Sequence, residues 1–308
     1  MTPDDLGVRH HYVEVNGLRM HYVEKGEGPL VVLLHGFPEM WWSWRYQIPA
    51  LVEAGFRVVV PDQRGYNETD AKGPYDIDTL RDDIVALLDH LGAPKAIIVA
   101  HDWGGGVAWH LASTRQERCE KLVVMNCPHP VVFMRALRGT WDQLKWSQIK
   151  RSWYVFFFQL PFLPERMLTA RGGQGVVRAL RGMAVDKTNF GREDMKPFVD
   201  AVLKPGRPTG MVNWYRAMFR TSLRGGREAM KQYGTISVPT LLFWAMEDTA
   251  LGYADVVPGT ERFVPGIEIF QIPGCGHFVQ QERPEGVNPK LVGFLKGAQA
   301  SVGSLTAR

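Results

Sequence analysis

The sequence predicts an α/β fold: an open, mostly parallel central sheet flanked by helices and interrupted by one long helical insertion. Three observations carry this reading. Six short β-branched runs recur along the chain, each almost continuously apolar, as strands of a parallel sheet covered on both faces must be. Helix-spaced segments that end in glycine lie between them. Strand character then stops at about residue 130 and resumes only near 236.

The opening segment HHYVEVNGLRMHYVEKG alternates around Asn16-Gly17 and reads as a hairpin leading into the sheet. The strands that follow are LVVLLHG (30–36), FRVVVPD (56–62), KAIIVAH (95–101), KLVVMN (121–126), PTLLFWA (239–245) and IEIFQIP (267–273). Between them IDTLRDDIVALLDHLG (77–92) has helical spacing. Such alternation places active groups in loops at the C-terminal ends of the strands. Residues 130–225 are aromatic-rich, helical in pattern and broken by PxxP and glycine. They read as an inserted lid over a core formed by residues 1–129 and 226–308.

At 308 residues and 45% hydrophobic, the chain can bury a sizeable core. A net charge of +4 demands neither nucleic acid nor an anionic surface, yet the charge is uneven. The insertion holds 17 Lys and Arg against 6 Asp and Glu, so the remainder of the chain is net acidic. A solvated basic face, an anionic partner and subunit pairing are the readings of that surplus. Cys119, Cys127 and Cys275 cannot all pair and show no metal-ligand spacing, which points to a reducing, cytoplasmic setting. The N-terminus lacks an apolar signal core, and the longest apolar stretch, WYVFFF (153–158), is too short to span a bilayer.

The chemistry centres on VAHDWGGG (99–106). A strand-to-helix elbow presents one exposed side chain on strained backbone, and its flanks must be small. Here that side chain is Asp102, between Ala100 and Gly104; a helix-capping aspartate is the plainer alternative. HGFPEMWWSWR (35–45) follows a buried strand and reads as an oxyanion loop, with the backbone amides of Phe37 and Trp103 as its donors by position. In the chain order nucleophile, acid, histidine, His277 of PGCGH alone among nine histidines fits the base. Asp248 of AMEDTAL fits the acid, with Glu247 and Asp255 as rivals, while Asn126 at the preceding strand end cannot replace a charged acid.

Together VAHDWGG, HGFPEMWWSWR, PDQRGY and CGHFVQQERP resemble the epoxide hydrolase branch of the α/β-hydrolase fold, over roughly residues 8–297. The resemblance implies nucleophile Asp102, base His277 and acid Asp248. It also implies two lid tyrosines that hydrogen-bond the epoxide oxygen, at the matching positions Tyr154 and Tyr215; from pattern alone both read as core aromatics. A carboxylate suits this reaction because attack on saturated carbon leaves an ester that water can cleave, whereas a serine would leave an ether. No metal or cofactor is required.

Pro38, Trp103, Phe157 and Phe278 are the expected pocket wall, and Phe156, Phe158, Phe162 and Trp214 add to an apolar pocket suited to aryl or alkyl epoxides. The expected partners are a small apolar epoxide and water, with no nucleic acid and no membrane span; monomer and homodimer stay open. Haloalkane dehalogenase, which uses the same aspartate chemistry, is the nearest rival. Phe37 stands where that family often carries an asparagine halide donor, and the tyrosine pair favours an oxygen leaving group. A non-catalytic ligand-binding homologue is the rival from another class. RGGQG (171–175) lacks the features of a phosphate loop and reads as a lid turn, while His101 and His129 read as packing or supporting groups.

Overall fold

A computed structural model describes residues 2–138 and 144–297. β1 (Arg9–Val15) and β2 (Leu18–Lys25) pair antiparallel across Asn16-Gly17, both at positive φ as a two-residue primed turn requires. β3 (Leu30–Leu34), β4 (Arg57–Pro61), β5 (Ala96–His101), β6 (Cys119–Met125), β7 (Thr240–Ala245) and β8 (Glu268–Ile272) run parallel to one another. The single eight-stranded sheet has the order β1-β2-β4-β3-β5-β6-β7-β8. β5 and β7 are buried at every residue, which explains why their sequences do not alternate.

The helices of the core are α1 (Gln47–Glu53), α2 (Ile77–His90) and α3 (Asp102–Thr114). The Asp76 side chain starts α2 by accepting the Thr79 amide at 3.0 Å. Between β6 and β7 the described chain has no strand. It forms α4 (Pro130–Arg138), α5 (Trp146–Arg151), α6 (Trp153–Phe157), α7 (Leu163–Met183), α8 (Arg192–Val202) and α9 (Arg207–Met230). α9 is continuous past residue 225, so the helical segment runs five residues beyond the boundary read from the sequence. RGGQG falls at a kink within α7, where Arg171, Gly172 and Gly173 all have positive φ. α10 (Tyr253–Val256), α11 (Val279–Glu282) and α12 (Pro284–Lys296) complete the fold.

Strand order reverses between β3 and β5, since the chain leaves β3 for β4 on one side and returns to β5 on the other. Such a switch point opens a crevice at the carboxyl ends of the strands. The His35-Gly36-Phe37 loop leaves β3 there, and Asp102 follows β5. No helix among the described residues is long and apolar enough to cross a membrane.

Candidate active site

Asp102 sits directly after β5 with φ +48, a left-handed backbone unusual for a residue other than glycine, while α3 begins at the same residue. The elbow is possible because its neighbours lack side chains. A Cβ on Gly104 would run into the Leu34 and His35 carbonyls, and one on Gly36 would run into the Asp102 side chain. Close approach of the two loops brings the Phe37 amide within 2.8 Å of Asp102 Oδ1, to which it donates. The Trp103 amide, the second donor expected from position, makes no such bond among the described residues.

His277 Nε2 lies 3.4 Å from Asp102 Oδ2, and its Nδ1 lies 2.7 Å from Asp248 Oδ2. Asp248 is further held by the amides of Ala250 (2.7 Å) and Leu251 (3.0 Å) and by the Asn126 side-chain amide (2.8 Å). Its rivals are engaged elsewhere: Glu247 accepts the Cys275 amide and Asp255 the Ser147 hydroxyl. Asn126, set aside in sequence as unable to act as the acid, donates to Asp248. It sits at the end of β6 with positive φ, and its Oδ1 accepts the Ala245 amide at 3.0 Å, tying β6 to β7 beneath Asp248.

His277 and Asp248 are buried and Asp102 is partly buried, and loss of solvent alone disfavours each charged form. It opposes ionisation of Asp102, but His277 and the Phe37 amide outweigh it and the carboxyl is lowered. Burial likewise opposes the His277 imidazolium, yet the carboxylates of Asp248 and Asp102 raise this histidine well above its ordinary value. Asp248 is lowered for the complementary reason.

A cavity of about 340 Å³ opens above Asp102 and is lined by Asp102, Trp103, Tyr154 and Tyr215 among others. Tyr154, from α6, and Tyr215, from α9, stand edge to face with ring centroids 5.9 Å apart. Burial first, and then the Asp102 charge, push both phenols up, so both stay protonated donors. The wall is otherwise largely apolar, with Phe133, Met134, Val155 and Met218 from the helical segment and Ile77 and Leu80 from α2. A larger open groove along α9 shares Tyr75, Asp76 and Thr221 with this cavity but contains none of Asp102, His277 and Asp248.

Several expected wall residues lie elsewhere. Phe278 is fully buried behind His277, against His101 and Phe190. Pro38 lies in the loop after β3, off the cavity wall, and Phe157 packs between Trp153 and Phe158. Phe156 and Phe162 face solvent, Phe158 packs against Phe37, and Trp214 does line the cavity. The unbroken apolar run WYVFFF has no periodicity, so it does not reveal which rings turn inward. Sequence reasoning also missed Glu39 and the α2 contribution to the wall. Glu39 carries a detectable signal, three residues after Gly36 in HGFPE, for it accepts the Gly36 amide at 2.7 Å.

The model of the α/β-hydrolase fold family matches residues 29–284. The chain is 42% identical to the AB hydrolase superfamily protein YfhM of Bacillus subtilis (strain 168), over 94% of this chain and 99% of the relative. It is 36% identical to human epoxide hydrolase 4, over 96% of this chain and 81% of that protein. Among solved structures, epoxide hydrolase A of Mycobacterium thermoresistibile superposes with a TM-score of 0.80 at 32% identity, covering 96% of this chain and all of that one. The Bacillus megaterium epoxide hydrolase superposes at 0.82 with 29% identity, over 93% of this chain and 100% of that one. By this match and these relatives, the chain belongs to the α/β-hydrolase fold family and groups there with the epoxide hydrolases.

Proposed function

We propose that the protein is an epoxide hydrolase that forms vicinal diols through a covalent ester on Asp102, with helices of residues 130–225 capping a core of residues 1–129 and 226–308. The observation that carries the reading is the pair of phenols, the buried Tyr215 and the partly buried Tyr154, lining the same cavity as a carboxylate nucleophile candidate. In this mechanism one Asp102 oxygen attacks a ring carbon, the C–O bond opens, and the departing alkoxide takes a proton or a hydrogen bond from the two tyrosines. An alkoxide is far more basic than a phenol, so the transfer runs downhill even though the phenols are raised.

Esterification also removes the negative charge of Asp102. One of the two carboxylates that raise His277 is thereby lost, so its imidazolium gives up its proton to solvent more readily and the neutral imidazole needed as base is populated. Oriented by Asp248, it takes a proton from water, which attacks the ester carbonyl. The resulting oxyanion is held by the Phe37 amide and, once it forms, by that of Trp103.

A single turnover of an aryl epoxide with excess enzyme in oxygen-18 water tests this, read by mass spectrometry of the peptide containing Asp102. Label in the Asp102 carboxylate supports the ester. Diol labelled only in the product overturns it in favour of direct attack by water. No diol, with halide release from haloalkanes, would assign the site to a dehalogenase.

A further inference from the structure

The helical segment carries an exposed apolar surface that the chemistry does not use. Trp153 is 62% exposed, Phe156 59% and Phe162 74%, and Leu160 and Leu163 are exposed beside them. Scattered surface hydrophobes are ordinary, but aromatic side chains this exposed within ten residues are not. Phe156 meets Phe219 at 6.0 Å, extending the patch onto α9.

The apex of the patch is built rigidly. In Leu160-Pro161-Phe162-Leu163-Pro164 two prolines flank Phe162, which is held at φ +61, a conformation that costs energy for an aromatic residue. Arg216 bolts this turn from beneath, donating to the carbonyls of Phe158 (3.1 Å) and Leu160 (2.8 Å) and pairing with Glu165 (2.7 Å). A strained backbone that projects an apolar ring into solvent calls for an occupant.

Charge identifies the occupant. Between residues 144 and 171 stand Lys145, Lys150, Arg151, Arg166 and Arg171 against one acid, Glu165, which Arg216 neutralises. Lys145, Lys150 and Arg166 are exposed and make no ion pair among the described residues. A second copy of this surface would bring like charges together across a two-fold axis. Exposed Trp and Phe in a stretch of chain whose exposed charges are mostly cations match the boundary between headgroups and acyl chains of an anionic bilayer.

We infer that the outer face of α6 and the Leu160–Leu163 turn dock peripherally on anionic lipid membranes. α6 is then the partition between lipid and active site, since Trp153 and Phe156 face outward while Tyr154 and Val155 line the cavity. An apolar ligand dissolved in the bilayer lies one helix away from Asp102.

Flotation of the full chain with vesicles of phosphatidylcholine containing about 30% phosphatidylglycerol tests this, beside vesicles of phosphatidylcholine alone. Two variants are compared: Phe156→Ser with Phe162→Asn, asparagine being at ease at positive φ, and Lys150→Glu with Arg166→Glu. The wild type is expected to float with the anionic vesicles and to be released by salt. Each variant should partition roughly tenfold more weakly while keeping its thermal midpoint. A wild type that stays unbound at every lipid concentration overturns the inference, as do variants that bind equally well. A concentration-dependent dimer in sedimentation velocity that Phe162→Asn dissolves would assign the patch to self-association instead.

Discussion

The Phe37 amide donates to Asp102 Oδ1, while His277 faces Oδ2 of the same carboxylate. The two oxygens are thereby distinguished before any substrate arrives. Oδ2 faces away from the amide and is the attacking atom in the proposed mechanism. Oδ1 is left as the ester carbonyl oxygen, already resting where an oxyanion is to be stabilised.

This division depends on Gly36. Any Cβ there would collide with the Asp102 side chain. Gly36→Ala should therefore displace the carboxylate more than it harms the fold. The expected cost is about 1–3 kcal/mol of stability from overpacking, with kcat lowered by about 10²-fold through misplacement of the proposed nucleophile. Thermal melting and steady-state turnover of the same preparation check it; a variant with unchanged kcat would show that Asp102 has room to move.

The sheet was legible because buried parallel strands are short, β-branched and bounded by turns, and each lies within two residues of its expected limits. Asp102 and His277 stand out because both lie in short local patterns at strand ends. Asp248 was favoured over Glu247 and Asp255 by its place after a strand, whereas the partners that set it apart, the Ala250 and Leu251 amides and the distant Asn126, were not legible. The helical segment was least legible. In WYVFFF every residue is apolar, and only the fold decides that Tyr154 and Val155 turn inward while Trp153 and Phe156 turn out.

Tyr154 and Tyr215 share the developing charge in the proposed ring opening, so neither acts alone. Tyr154→Phe or Tyr215→Phe should slow ester formation by about 10–10²-fold, and the pair together by about 10²–10⁴-fold. Rapid-mixing measurement of ester formation, apart from ester hydrolysis, is the appropriate readout. Because burial and Asp102 push both phenols up, wild-type ester formation should show no loss from tyrosinate up to roughly pH 10. A descending limb well below that pH that vanishes in either variant would contradict the assignment.

The cluster of Asp102, His277 and Asp248 also shapes stability against pH. His277 is raised in the folded state against burial by Asp248 and Asp102. Its contribution is thus full below the unfolded value of about 6.5 and fades as pH rises through the higher folded value. Asp102 and Asp248 are lowered, so their contribution is present above about pH 3.9 and is lost as pH falls through their folded values. The thermal midpoint of wild type minus that of Asp248→Asn should accordingly be largest between about pH 4 and 6.5. It should shrink on both sides, and a difference that grows steadily above pH 7 would reverse the sign.

Glu39 and His101 form a fully buried pair that links the three loops of the site. Glu39 Oε2 meets His101 Nδ1 at 2.7 Å and accepts the Gly36 amide at 2.7 Å, while Oε1 accepts the side chains of Gln280 and Gln281, both at 2.8 Å. On its other side His101 Nε2 lies 2.9 Å from the His277 carbonyl oxygen. The loop after β3, the elbow and the loop of His277 are therefore joined through two side chains that do not line the cavity. Burial opposes ionisation of Glu39, but His101 and the Gly36 amide prevail and lower it, so its carboxylate is the form the fold is built around. Removing one member leaves the other buried without its partner, which costs about 3–5 kcal/mol. Glu39→Gln and His101→Gln should each lose stability on that scale. The double variant should lose clearly less than their sum, because the second substitution removes the group that the first had stranded. Urea unfolding of the three variants measures the coupling directly. Strict additivity would mean that each side chain is held by its other neighbours, and that the loops of the site are positioned independently.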